Sequence, residues 1–209
     1  MAKLTQNAVK TLVELKIGRM KDSLPCMLRT EMGERAMWYV IQTLGGEEER
    51  TADMIKKRVP SYYIEDCFIP KRERMKKFHG CWNKVEEILF HGYVFVVSQQ
   101  PEGLYRELQR VPRLTKILGR EKDYFIALNE EEKQLVQGIG DKEHRTPLSK
   151  IAVTEGNMVR VIDGPLKDYV GNVVKINLHK REVAVKVTFM GRELELFMGV
   201  EMAEMAPFG

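Results

Sequence analysis

The sequence predicts an α+β protein with two domains, an antiparallel sheet flanked by helices followed by a small SH3-like β-barrel. Within residues 153–201, apolar and polar residues alternate in short runs, which is the period of half-buried strands. Breakers such as Asp163-Gly164-Pro165 and Met190-Gly191 separate these runs, so four or five strands follow one another through tight connections. Closure into a small barrel hides their edges. Strand-like and helix-like runs alternate before this region.

The composition excludes several classes of protein. The chain has 209 residues, of which 44% are hydrophobic and 31% are charged, and this suits two cores of unequal size. No apolar run approaches the roughly 18 residues of a membrane-spanning helix, and Lys10, Glu14 and Lys16 interrupt any secretory signal. Three cysteines have neither disulfide-framework nor zinc-ligand spacing. We therefore expect a cytoplasmic protein with free thiols and without metal or cofactor.

Charge and histidine content bear on two further classes, nucleic-acid-binding proteins and enzymes. The net charge of +4 is weak evidence for nucleic-acid binding, because seven basic and four acidic residues within 1–36 already supply +3. Local basic clusters are therefore more informative than the total. Four histidines are scattered, without an H-x-x-x-H spacing or a paired-carboxylate motif. The sequence predicts that the protein is not an enzyme and has no catalytic residues.

The first elements follow from local patterns. Residues 1–36 are predicted to be an extension, either poorly ordered or upstream of a true start at Met37. Residues 38–43 are β-branched and aromatic, which indicates a central strand. Residues 47–59 predict a helix, because three glutamates suit its first turn and Pro60 ends the apolar period.

A basic segment lies between two predicted strands, at residues 63–70 and 85–97. Residues 71–77 contain five Lys or Arg residues and predict a hairpin or loop. Such a segment is either a solvated charged hairpin or a contact for a nucleic-acid backbone. In the second case Phe78 and Trp82 can stack on unpaired bases.

An aromatic strand and a helix complete most of the first domain. Residues 89–96 place two aromatic residues on one face of a strand, directly after a bend at Gly92. Residues 104–111 show the apolar spacing of a helix that ends before a proline. Residues 116–119 predict a further short strand.

The last helix of the first domain has a recognisable start. Asn129 is expected to cap it, with Glu132 at the capping-box position. We place the first domain at 37–140, a polar linker at 141–152 and the barrel domain at 153–209.

Two segments resemble a known family. Residues 159–171, V-R-V-I-D-G-P-L-K-D-Y-V-G, resemble the KOW motif. Residues 89–96, L-F-H-G-Y-V-F-V, resemble the signature of the NGN domain, with His91 in place of a proline. In this order the chain is similar to NusG-type transcription elongation factors. Residues 120–128 read R-E-K-D-Y-F-I-A-L where the family has a glycine- and proline-rich segment, which points toward specialised antitermination paralogues of the LoaP kind.

The resemblance implies that the first domain binds the clamp helices of RNA polymerase and suppresses pausing, while the barrel recruits a partner. The implied polymerase-binding residues are Phe90, Gly92, Tyr93, Phe95, Tyr105 and Arg106. A LoaP-like role further implies that a structured leader RNA binds the barrel. The candidate RNA-binding residues are Arg160, Lys167, Lys175, His179, Lys180, Arg181, Lys186 and Arg192, of which the middle five lie on two successive strands and their connection.

Two alternatives stay open at this point. Besides an antitermination factor of the LoaP kind, the sequence also suits a general NusG-like factor whose KOW domain recruits a protein partner, or a ribosome-associated KOW protein that binds RNA. Binding to isolated RNA polymerase separates them, since a ribosomal protein should show none. In each case we expect a monomer without a membrane partner.

Overall fold

The computed structural model describes residues 36–112, 114, 125–153 and 158–203. The predicted extension at 1–36, apart from Ala36, and the predicted strand at 116–119 lie outside the described residues. Within them, no helix is long and apolar enough to cross a membrane.

The described chain begins with the elements of the first domain. These are β1 (Met37–Gln42), α1 (Glu48–Arg58), a 3₁₀ helix (Ser61–Tyr63), β2 (Asp66–Phe68), β3 (Lys71–Phe78), β4 (Cys81–Ile88), β5 (Tyr93–Ser98), α2 (Pro101–Leu108), β6 (Phe125–Ala127) and α3 (Glu130–Ile139). The remaining elements are β7 (Arg145–Thr146), β8 (Ser149–Val153), β9 (Val159–Asp163), a 3₁₀ helix (Pro165–Asn172), β10 (Val173–Asn177), β11 (Glu182–Phe189) and β12 (Arg192–Met202). The predicted α+β class is confirmed.

The main sheet of the first domain has the strand order β2-β5-β1-β6 and is antiparallel. Its centre is the pair β1–β5, in which Val40 lies opposite Phe95 and Ile41 opposite Val94. Ile41 and Val94 pack with Ile55 of α1 and Leu104 of α2 in a buried core. The helices therefore cover one face of the sheet, as predicted.

The basic segment forms a hairpin, which is one of its two predicted forms. Its strand β3 pairs with β4, and the register places Arg72 opposite Glu87. The single strand predicted at 85–97 is wrong, because β4 and β5 are separate strands on either side of a turn at 89–92. Gly92 has a φ of 81° in this turn, which lies between the apolar residues 88–90 and 93–97.

The predicted cap of the last helix is confirmed. The Asn129 side chain accepts a hydrogen bond from the Glu132 backbone N–H at 2.8 Å, and the Glu132 carboxylate accepts one from the Asn129 N–H at 3.0 Å. Two backbone donors that have no partner within the helix are thus satisfied.

The barrel is built on a five-stranded sheet with the order β10-β11-β12-β8-β9. The alternation predicted for β11 is confirmed, since Val183, Val185, Val187 and Phe189 are all buried. β12 continues beyond the predicted run and pairs in parallel with β8.

The segment 141–152, which was expected to be a linker, contains β7 and β8. β7 pairs in parallel with β3 of the basic hairpin, and β8 belongs to the barrel sheet. Directly before β7, the His144 ring stacks on Phe68 with centroids 3.4 Å apart, and a ring nitrogen lies 3.0 Å from a carboxylate oxygen of Asp66. This segment is therefore attached to both domains.

Candidate functional site

The two faces of β5 have different neighbours. Val94 and Val96 belong to the core under the helices, whereas the rings of Tyr93 and Phe95 contact Phe189 of the barrel. This follows from the two-residue period of a strand. The predicted common face of Tyr93 and Phe95 is confirmed, and it is the face that meets the barrel.

Phe90, Tyr93 and Phe95 form an aromatic cluster, and Phe189 at the end of β11 covers it. The Phe189 ring centroid lies 4.9 Å from that of Phe90, 6.0 Å from that of Tyr93 and 6.1 Å from that of Phe95. Phe90, Phe95 and Phe189 are at most 2% exposed, while Tyr93 is half-buried. The aromatic cluster is thus a surface of the first domain that the barrel occupies.

Gly92 positions the turn that carries this cluster. Its N–H donates to the Glu48 carboxylate at 2.7 Å, and its carbonyl accepts from the Thr43 N–H at 2.8 Å. Glu48 is fully buried in the first turn of α1, where the helix dipole favours a negative charge. A side chain at Gly92 would require a strained left-handed conformation, because φ is 81°. Gly92 therefore acts by positioning its neighbours.

Tyr105 and Arg106 lie elsewhere. Both are on α2, and the Tyr105 ring packs near Phe125 with centroids 5.6 Å apart. Phe125 in turn stacks on Tyr39 of the helix-covered core. Arg106 is exposed. The structure does not bring these two residues together with the aromatic cluster.

A network of charges lies beside the aromatic cluster, between β3–β4 and the barrel. Arg72 donates to the Glu87 carboxylate at 2.8 Å and to the Phe197 carbonyl at 2.7 Å. Arg74 contacts Glu87 at 3.1 Å and, by its Nε, Glu182 of β11 at 3.5 Å. Burial alone raises the pKa of Glu87, but hydrogen bonds from Lys76 and Arg74, with the charges of Arg74 and Arg72, lower it to about 2. Arg72 and Arg74 of the basic hairpin therefore stabilise the contact between the first domain and the barrel.

The predicted RNA-binding residues divide into two groups. Lys175 lies on β10, and His179, Lys180 and Arg181 lie in the turn that follows, so these four share one hairpin. The Arg181 guanidinium lies 4.0 Å from the ring centroid of Trp82, at the tip of the β3–β4 hairpin. This contact joins the barrel hairpin to the basic hairpin.

The other four predicted RNA-binding residues are spread over the barrel. Lys186 pairs with Glu193 at 2.7 Å, and Lys167 pairs with Asp163 at 3.1 Å. Arg192 begins β12, opposite Phe189, at the other end of β11 from the β10–β11 turn. Arg160 is on β9, at the far edge of the sheet.

Sequence reasoning missed the residues that hold the two domains together. Phe189 fits the alternation of a barrel strand, and nothing local indicates that its ring also contacts the first domain. Arg72 lies in a basic run, but a run of charges does not reveal which of them are buried. Among the described residues, no group of His, Cys, Asp and Glu side chains is arranged to hold a metal ion.

Two protein-family models match this chain, one in each domain. The family model described as "Transcription termination factor nusG" matches residues 36–137, and the KOW motif model matches residues 155–190. A solved structure of NusG from Thermotoga maritima is 22% identical, covers 80% of this chain and 95% of that chain, and has a TM-score of 0.46.

Two curated relatives illustrate the likeness in sequence. "Transcription termination/antitermination protein NusG" of Escherichia coli is 29% identical over 177 residues, covering 81% of this chain and 96% of the relative. The protein of the same name from Thermus thermophilus is 29% identical over 169 residues, covering 75% and 91%. Because the two family models match in the order that the structure shows, and the relatives align over most of their length, the chain belongs to the NusG family, whose members are transcription factors and not enzymes.

Proposed function

We propose that this protein is a transcription elongation factor that docks on the clamp helices of RNA polymerase through the aromatic cluster and promotes processive antitermination. The observation that supports this most is the position of Tyr93 and Phe95 on one face of β5, with the Phe90 ring packed against Phe95 at a centroid distance of 5.6 Å from the bend before the strand. Aromatic side chains on a preformed surface are the usual energetic centre of a protein interface. The protein would act as a cytoplasmic monomer.

Docking at this surface requires the barrel to move, because Phe189 occupies it. A cleft of about 200 Å³ remains at the same place, lined by Phe90 and Tyr93 from the first domain and by Leu196 and Phe197 from the barrel. Polymerase and barrel would therefore compete for the aromatic cluster. The apparent affinity for polymerase is then reduced by the fraction of molecules in which the barrel is displaced.

A pull-down with core RNA polymerase tests the proposal. The wild-type chain should be captured, whereas Tyr93→Ala should lose about thirtyfold or more in affinity, since interface aromatics commonly contribute about 2 kcal/mol or more. Tyr93→Ala also removes the contact between the Tyr93 and Phe189 rings, so it weakens the attachment of the barrel to the first domain. A loss of binding therefore cannot come from a barrel that is held more tightly.

Tyr62→Ala is the matched control, because Tyr62 is 68% exposed and contacts Tyr63 away from the cluster. Wild-type affinity in a folded Tyr93→Ala protein would remove the cluster from the interface. Absence of binding both by the wild type and by a chain opened by Phe189→Ala would favour a ribosome-associated protein.

A second role, binding of a structured leader RNA by the β10–β11 hairpin, is favoured by one observation. Lys175, His179 and Lys180 are exposed, and none has a carboxylate partner within the described residues. Cations without partners are available to phosphates, and a hairpin RNA is recognised largely through its backbone and shape. This group is thus the better candidate than Lys167 and Lys186, which have acidic partners.

The second role is tested with a labelled RNA stem-loop. Lys175→Glu combined with Lys180→Glu should greatly weaken binding, and the wild-type affinity should fall steeply with salt through counterion release. Polymerase capture should survive this change. Lys57→Glu on α1 controls for charge alone. Unaltered stem-loop binding in the double variant would return the barrel to a general factor's role of recruiting a protein.

A further inference from the structure

The tips of two hairpins from different domains meet at one contact. Arg181, in the β10–β11 turn with a φ of 51°, places its guanidinium 4.0 Å from the ring centroid of Trp82. Trp82 lies opposite Lys77 in the β3–β4 register. A cation over an indole ring at this distance is an attractive contact. It joins the surfaces of the two tips into one.

Basic residues outnumber acidic ones on this joined surface, and the acid that lines its cleft, Glu182, is paired with Arg74 at 3.5 Å. Residues 76–84 contain three lysines and no Asp or Glu, and residues 175–181 contain three Lys or Arg residues and no Asp or Glu. Lys76 and Lys84 have partners further along the β3–β4 hairpin, in Glu87 and Glu73. Lys77, like Lys180, is exposed and has no carboxylate partner within the described residues. Cations remain at both tips to neutralise phosphates.

Exposed aromatic rings accompany these cations. Phe78, at the tip of the basic hairpin, is 50% exposed, and Phe197 on the barrel is 38% exposed. The barrel register places Lys175 opposite Ala184 and Ala184 opposite Phe197. Because the side chain of Ala184 is small, a cleft of about 190 Å³ lies above it, with Lys175 on one side and Phe197 on the other. A flat ring beside lysines is the arrangement that holds an unpaired base and its phosphate.

We infer that the two hairpin tips and this cleft together bind single-stranded RNA, an assignment that rests on and deepens the proposed RNA-binding role of the barrel. Bases stack on Phe78 and Phe197, and phosphates lie against Lys77 and Lys180. The cleft also contains the amide of Asn177, whose oxygen accepts a hydrogen bond from the Lys180 N–H at 3.0 Å and whose NH₂ group can donate to a ribose 2′-hydroxyl. This donor favours RNA over DNA.

The surface exists only while the barrel rests on the first domain, because Trp82 and Arg181 belong to different domains. In the same arrangement Phe189 covers the aromatic cluster. Single-stranded RNA on the joined surface and polymerase on the aromatic cluster therefore exclude one another. By linkage, each ligand weakens the other by the same factor. A stem-loop that touches only the β10–β11 hairpin is not subject to this exclusion.

Fluorescence anisotropy with a labelled, unstructured RNA of about 12 nucleotides, within the usual size of a single-strand site, tests the inference on the full chain. Phe78→Ala should weaken binding roughly tenfold, the effect of losing one stacked base. Phe78 is exposed at a hairpin tip, so this variant should fold. Tyr62→Ala, which removes another exposed aromatic ring, should bind as the wild type does. Saturating RNA should reduce polymerase capture.

The outcomes separate this inference from the proposed function. Binding of the stem-loop but not of the single strand overturns the joined surface and leaves the barrel role in place. Absence of binding to both RNAs removes both RNA roles, while polymerase docking is judged by its own experiment. Equal affinity for the DNA oligonucleotide of the same sequence contradicts the assignment to RNA. Equal affinity of wild type and Phe78→Ala contradicts stacking.

Discussion

The backbone of Gly199 in β12 lies directly against the backbone of Glu73 in β3. A β-carbon at Gly199 would be 2.1 Å from the Glu73 carbonyl oxygen. Only glycine permits this approach of barrel and first domain, because any side chain atom there must displace one backbone from the other. The closed arrangement thus depends on one missing methyl group.

We therefore expect Gly199→Ala to open the molecule. Overpacking of this kind costs about 1–3 kcal/mol, which lowers the ratio of closed to open molecules by about fivefold to 150-fold. The radius of gyration from small-angle scattering should rise, and polymerase capture should increase. The far-UV circular dichroism should stay that of a barrel, because the β-branched valines of β10 and β11 favour strand.

Gly171→Ala is the matched control in the same barrel. A β-carbon at Gly171 meets nothing within 4 Å, so this variant should scatter as the wild type does. An unchanged radius of gyration in Gly199→Ala would show that the barrel contact tolerates the displacement.

Phe189→Ala should raise the affinity for polymerase. It uncovers the aromatic cluster, and an interface aromatic of this kind contributes at least about 2 kcal/mol, so we expect a gain of about thirtyfold or more in a binding titration. Val187→Ala controls for loss of barrel stability, because Val187 is buried on the same strand. A gain of equal size in both variants would contradict a specific role of Phe189.

The pH dependence of stability should report the charge network. The pKa of Glu87 is lowered from 4.5 to about 2 in the folded protein. Between these values the unfolded chain binds the proton and the folded chain does not, so stability rises with pH in this window. The contribution of Glu87 is complete above pH 4.5 and is lost as the pH falls toward 2.

Urea unfolding of wild type and Glu87→Gln, across the window from about pH 2 to about pH 5, measures this effect. The difference in unfolding free energy between the two proteins should shrink as the pH falls. Glu86→Gln on the same strand is the control, because Glu86 is 42% exposed and pairs with Arg145 on the surface. A pH-independent difference for Glu87→Gln would contradict the assignment.

Thiol labelling should distinguish two cysteines. Burial raises the pKa of Cys67 to about 12, and the side chain is 2% exposed. At about pH 8, roughly four units below that pKa, only about 0.01% of Cys67 is thiolate. In a Cys26→Ser background, iodoacetamide should modify exposed Cys81 in the folded protein and Cys67 only after denaturation. Equal labelling rates at Cys67 and Cys81 would show that the first-domain core opens readily.

The cap of α3 should matter in two ways. Asn129→Ala should lower the free energy of unfolding by about 1 kcal/mol, the usual cost of a lost N-cap. Glu132 also accepts a hydrogen bond from the Met190 N–H of the barrel at 2.7 Å. Glu132→Ala should therefore both destabilise the chain and increase opening, whereas Glu131→Ala, beside it on the helix, should do neither. Thermal unfolding and scattering together check this.

What the sequence could predict depended on local patterns. The alternation of β11 and the spacing of Asn129 and Glu132 determine their structures within a few residues, and both predictions are confirmed. The break between β4 and β5 was missed because apolar residues 88–90 and 93–97 lie on both sides of the turn and its main local mark is Gly92. The contact of Phe189 with Phe90 joins residues far apart in the chain, and no local pattern specifies it.

The short connection between β7 and β8 limits what happens after the barrel leaves. Only Pro147 and Leu148 separate a strand of the first domain from a strand of the barrel. Two extended residues span about 7 Å. If β7 and β8 stay intact, a released barrel therefore remains close to the first domain and competes with any partner for the aromatic cluster. A short tether gives an effective concentration on the order of millimolar. A partner must therefore bind the aromatic cluster more tightly than the tethered barrel does. Brief, weak contacts end when the barrel rebinds the cluster, and only a tight or multivalent contact persists.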